Sequence, residues 1–103
     1  MVSFVETKLF TRLVSEYLTD DEYRRLQQAL IADPELGVVI PGSGGIRKVR
    51  WGMAGRGRRG GLRVIYFLRA RQGQIWMLTL YPKDVADSIP TDFLRQIRDA
   101  IDD

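Results

Sequence analysis

The side chains of this chain that could do chemistry are cations and aromatics spaced along predicted strands. Lys48 and Arg50 lie two residues apart, Arg63 sits at the start of an apolar run, and Tyr81 and Lys83 are again two apart. Residues two apart on a strand share a face. Lys48 and Arg50 therefore point one way, Val49 and Trp51 the other. The run Leu62–Ala70 carries apolar residues on both faces, with Val64, Tyr66 and Leu68 opposed to Ile65 and Phe67. It reads as a central strand, where a guanidinium such as Arg63 is expensive unless it meets solvent or an anion. The spacing allows a register in which Lys48, Arg50, Arg63, Tyr81 and Lys83 converge, without fixing it.

Such a cluster suits a phosphodiester. RNA can be cut without a metal when its own 2′-OH attacks the adjacent phosphate. That reaction needs a base, positive donors on the transition state, and an acid for the leaving 5′-oxygen. Arginine fits the second task, since its planar fork matches phosphate oxygens and stays charged. Lys48 is the better base candidate, because lysine gives up a proton where arginine does not. Tyr81 or Lys83 could supply the proton, and Tyr81 could equally stack on a base. The plain alternative for these residues is a solvated strand face ending in an ordinary aromatic.

Composition removes most competing chemistries. The 103 residues contain no His and no Cys. A Ser-His-Asp triad, a histidine-pair ribonuclease, a thiolate zinc site and a disulfide framework are all excluded. The net charge of +3 hides a strong segregation: residues 46–83 hold ten Lys or Arg and no Asp or Glu. The flanks are acidic, with net charges of −3 over residues 1–45 and −4 over 84–103. The middle segment offers no carboxylate to hold magnesium, so neither metal nor cofactor is expected. Its natural partner is a polyanion. No run of 18 apolar residues could span a membrane, and Glu6 and Lys8 interrupt any signal-like start. A cytoplasmic protein is expected.

The elements that must position the cations follow from periodicity. Val2–Glu6 alternates as a short strand. Leu9–Leu18 has helical apolar spacing. Thr19 and Glu22 form a capping box for a second helix that should stop before Pro34. Leu36–Gly45 is turn-rich. Ile46–Trp51, Leu62–Ala70 and Ile75–Tyr81 alternate at period two, with a loop over Gly52–Gly61 and a tight turn at Gln72-Gly73. Pro82–Ser88 suggests one turn, and Thr91–Ile101 a closing helix with Phe93, Leu94, Ile97 and Ile101 on one face. The expectation is one α+β domain over residues 1–103, a small and mostly antiparallel sheet in the order β-α-α-β-β-β-α. Its helices should pack on one face and leave the other to the cations. Neither Gly42-Ser43-Gly44-Gly45 nor the Gly55–Gly61 stretch matches a nucleotide-binding fingerprint. The second is a basic loop whose arginines could reach a nucleic-acid backbone.

Three runs together resemble a known family: Gly44-Gly45-Ile46-Arg47-Lys48-Val49-Arg50, Gly57-Arg58-Arg59-Gly60-Gly61-Leu62-Arg63-Val64-Ile65-Tyr66-Phe67, and Leu78-Thr79-Leu80-Tyr81-Pro82-Lys83-Asp84. They are similar to the RelE/ParE toxin superfamily, and most of all to its HigB-like branch. The resemblance spans nearly the whole chain and implies the toxin of a type II toxin–antitoxin pair. It implies a ribosome-dependent mRNA endoribonuclease that inhibits translation. Lys48, Arg50 and Arg63 match the family's catalytic cations, with Tyr81 and Lys83 a looser match to its C-terminal aromatic and cation. Arg47, Arg56, Arg58 and Arg59 would be RNA-binding. The implied partners are a cognate antitoxin with a helix-turn-helix domain, the ribosome and mRNA, with operator DNA met only through the antitoxin complex. Members of the same fold instead inhibit DNA gyrase, and a non-catalytic nucleic-acid-binding module is a third reading, so fold alone does not decide activity.

Overall fold

The computed structural model describes residues 1–52, 61–83 and 89–101. Strand β1 (Ser3–Glu6) leads into helix α1 (Lys8–Tyr17) and helix α2 (Asp20–Ala32). The edge strand β2 (Val38–Val39), then β3 (Arg47–Trp51), β4 (Leu62–Arg69), β5 (Gln74–Pro82) and helix α3 (Thr91–Ile101) follow. The five strands form one sheet in the order β1-β5-β4-β3-β2. Only β1 with β5 is parallel; the other pairings are antiparallel.

Local chemistry sets the helix boundaries. Thr7 caps α1: its hydroxyl accepts the Phe10 N–H at 3.0 Å and donates to the Leu78 carbonyl at 2.7 Å. One side chain thus starts the helix and fastens it to β5. Thr19 and Glu22 make the expected reciprocal capping box. Helix α2 ends at Ala32, with Asp33 as C-cap ahead of Pro34. The turn between β4 and β5 is a short 3₁₀ segment closed by Gly73 at φ +64°. A Cβ there would lie 2.8 Å from the Met1 carbonyl oxygen.

The α+β class and the element order agree with the sequence reading, and β4 is central as expected. Three features differ. A two-residue strand, β2, lies inside the turn-rich connection. More importantly, the helices do not share one face. Helices α1 and α2 bury Phe10, Leu18, Leu26 and Leu30 against Val49, Val64, Tyr66, Ile75, Met77 and Leu80. Helix α3 buries Leu94 and Ile101 on the other side, against Ile46, Ile65, Phe67, Leu78 and Tyr81. The cause is β4 itself, whose Ile65 and Phe67 need cover as much as Val64 and Tyr66 do. Phe93, expected on the buried stripe of α3, is 52% exposed.

Strand β5 contains a bulge. Tyr66 pairs with Met77 and Ile65 pairs with Thr79, so Leu78 is an extra residue in the ladder. Before the bulge, Ile75 and Met77 face α1 and α2; after it, Leu80 does. No helix among the described residues is long and apolar enough to cross a membrane.

Candidate nucleic-acid interface

The cations of β3 and β4 meet on the α3 side of the sheet, at the end where β3 and β5 finish and β4 begins. Arg50 pairs directly with Arg63, and Arg63 pairs directly with Tyr81. Residues opposed in this way point to the same face, with Cβ atoms about 5 Å apart. Arg50, Arg63 and Tyr81 therefore form one row across three adjacent strands. Lys48 stands in the next row, opposite Ile65, which is itself opposite Thr79. Thr79, partly exposed, joins this face although the sequence reading did not single it out. Its signal was its position two residues before Tyr81. Lys83 follows the end of β5 and is exposed.

The row is graded in exposure. Arg50 is exposed, while Arg63 is 5% and Tyr81 8% exposed. Burial pushes the Tyr81 phenol above its ordinary value, and the Arg63 guanidinium partly opposes that rise. Tyr81 is thus a protonated donor at neutral pH, held beside a guanidinium. Two guanidinium groups directly opposed across a strand pair work against folding.

Arg47 stands apart. Its side chain leaves the sheet on the α1–α2 side, opposite Tyr66 in the ladder. There its Nη1 donates to the Gly37 carbonyl at 2.8 Å and the Glu35 carbonyl at 3.4 Å. The Tyr66 hydroxyl completes this clamp, accepting the Gly37 N–H and donating to the Pro34 carbonyl, both at 2.8 Å. The structure thus ties Arg47 to the connection that delivers β2, away from the Lys48 and Arg50 face. Arg56, Arg58 and Arg59 lie outside the described residues, as does the segment after Lys83 for which a turn is expected.

The Gly42–Gly45 segment is the turn between β2 and β3. The buried Ser43 hydroxyl donates to the Ile40 carbonyl at 2.7 Å and accepts the Ile46 N–H at 3.0 Å. The Gly44 carbonyl accepts from Arg98 Nε at 2.9 Å, and that guanidinium lies 5.5 Å from the Phe67 ring centroid. This turn therefore latches α3 to the sheet. Among the described residues, no three His, Cys, Asp or Glu side chains group to hold a metal ion.

No family model matches the chain. Among solved structures it is similar to the E. coli toxin RelE, determined in the free state as a mutant with two arginines replaced by alanine. The superposition has a TM-score of 0.57 and covers 94% of this chain and 96% of that one, at 13% sequence identity. The fold is RelE-like. In this RelE-like sheet, Lys48, Arg50, Arg63 and Tyr81 occupy one contiguous patch made by the three adjacent strands β3, β4 and β5.

Proposed function

We propose that this protein is the toxin of a type II toxin–antitoxin pair and acts as a ribosome-dependent mRNA endoribonuclease of the HigB-like kind. The observation that carries the reading is the Arg50–Arg63–Tyr81 row with Lys48 beside it. The RelE-like fold supports the coarser part, a toxin with a cognate antitoxin as its protein partner. In the reaction, Arg50 and Arg63 hold the scissile phosphate and balance the charge that builds on it. Lys48 takes the 2′-OH proton. Tyr81, kept protonated by burial, or the exposed Lys83 gives a proton to the 5′-oxygen. No step requires a metal.

Induced expression followed by primer-extension mapping of cellular mRNA tests this. Cuts within translated codons are expected, and they should vanish when ribosomes are stalled before elongation. Intact mRNA with a DNA-damage response would assign the chain to gyrase inhibition instead. Harmless expression would leave a binding module. Arg50→Ala should abolish toxicity while leaving the circular-dichroism spectrum and Tm unchanged, because the side chain is exposed. A fully toxic Arg50→Ala, or Arg63→Ala, would remove the site assignment.

A further inference from the structure

At the opposite end of the α3 side, where β4 finishes, the sheet and α3 line an open groove of about 500 Å³. Thr7, Arg69, Trp76, Ile97, Ala100 and Ile101 line it. A smaller, almost wholly apolar cleft of about 150 Å³ adjoins it, sharing Thr7 and Ile97 as walls and continuing past Leu78, Leu94 and Phe93. The two form a trench beside α3 from Phe93 to Ile101. At 1.5 Å per helical residue this is about 12 Å, the span of three or four extended residues. Its outer rim leaves Leu9 and Phe93 exposed.

The polar groups of this trench are nearly all accounted for. The Thr7 hydroxyl is occupied by Phe10 and Leu78. Gln74 Oε1 accepts from Trp76 Nε1 at 3.0 Å and from Arg69 Nη1 at 3.4 Å. Arg69 Nε is left buried without a partner. A buried donor in that state calls for an acceptor. The 3.4 Å contact to Gln74 is long for a hydrogen bond, so little holds the guanidinium where it is. Among the described lining residues Arg69 is the one charge; apart from Thr7 and Thr79 the rest of the wall is aliphatic or aromatic.

We propose that this trench docks a short segment of a partner protein, with an acidic side chain on Arg69 and flanking apolar side chains in the two clefts. Charge complementarity chooses this occupant. An RNA strand carries a charge at every residue and would find one cation among apolar walls. An acidic residue between apolar ones matches the trench group for group. The charged end of the trench stands apart from the nuclease reading, since six residues of β4, about 20 Å, separate Arg69 from Arg63, while the smaller cleft reaches Thr79 at the margin of the cationic face.

The test is a titration of the full ¹⁵N-labelled chain with the blocked peptide acetyl-Leu-Glu-Leu-amide, following the two tryptophan indole N–H signals. The Trp76 signal should shift and saturate in the millimolar range, while that of Trp51, on the other face, stays still. Acetyl-Leu-Gln-Leu-amide should bind about tenfold more weakly, since it lacks the charge-assisted bond. Arg69→Gln should erase that preference. Ala100→Leu, which narrows the groove and leaves Arg69 intact, should weaken both peptides. Arg50→Ala should bind as the parent chain does, which separates this result from failure of the nuclease reading. Equal affinity for the two peptides overturns the proposal, as does an unmoved Trp76 signal at about 10 mM peptide. Displacement of the peptide by a uridine hexanucleotide would also overturn it and assign the trench to nucleic acid.

Discussion

Tyr81 can serve the row in two ways that one substitution separates. As an acid it needs its hydroxyl; as a stacking surface it needs only its ring. Tyr81→Phe should lower cleavage about 10²–10⁴-fold, the usual size of a general-acid contribution, while RNA affinity stays within a few-fold. Tyr81→Ala should lose both. Because burial raises the phenol above its ordinary value, the alkaline fall of the rate should come above about pH 10. Tyr81→Phe at full rate would move the acid role to Lys83. The types of these residues were legible in the sequence, and so was the shared face of Lys48 and Arg50. The meeting of Arg63 with Tyr81 was not. Strict alternation from Ile75 and Met77 sends Tyr81 toward α1 and α2; the extra residue Leu78 turns it to the side of Arg63. No rule of spacing announces that residue in advance.

The element that sets the far edge of the patch is β2, and it is held by side chains of its neighbours. Tyr66 and Arg47 secure residues 34–37 on one side of the sheet, and Val38 then pairs with Lys48. Tyr66→Phe removes both bonds of its hydroxyl and leaves the Gly37 N–H without an acceptor. It should cost about 1–3 kcal/mol, read as a lower midpoint in urea unfolding. Gly37→Ala should also destabilise, since a Cβ there would lie 2.8 Å from the Tyr66 ring. An unchanged midpoint in both variants would show that β2 does not depend on the clamp. The helices were legible because their signals are local: Thr19 with Glu22, Asp33 before Pro34, and the stripe of α3. Strand β2 was not, since two valines in a Gly- and Pro-rich stretch become a strand only through long-range pairing with Arg47 and Lys48. The side of the sheet chosen by α3 was half-written, because β4 is apolar on both faces.

Across the whole molecule, covering both faces of the sheet buries tyrosines in each. Tyr23 donates to Glu6 at 2.6 Å, Tyr66 sits in its clamp, and Tyr81 lies in the cationic row. Burial is the leading cause of the upward shift in all three phenols; beside Tyr23 the Glu6 carboxylate adds to it. The unfolded chain therefore loses these protons first, near pH 10. Stability from this source is full below that pH and declines as pH rises through the folded-state values. Denaturant midpoints should be flat from neutrality to about pH 9.5 and then drop, with phenolate absorbance rising alongside unfolding. Phenolate absorbance that reaches its full value in the folded protein near pH 10 would contradict this.

The bulge at Leu78 also governs how residues are matched between this chain and its distant structural kin. At 13% identity, an alignment that slips by a single position in β5 exchanges Tyr81 for Leu80, an apolar residue on the wrong side. Functional equivalents should therefore be assigned by counting outward from the extra residue in the ladder, with motif similarity a poorer guide. A relative lacking the counterpart of Leu78 would still set its phenol opposite the arginine, and only an alignment that opens a gap at that point would match the two.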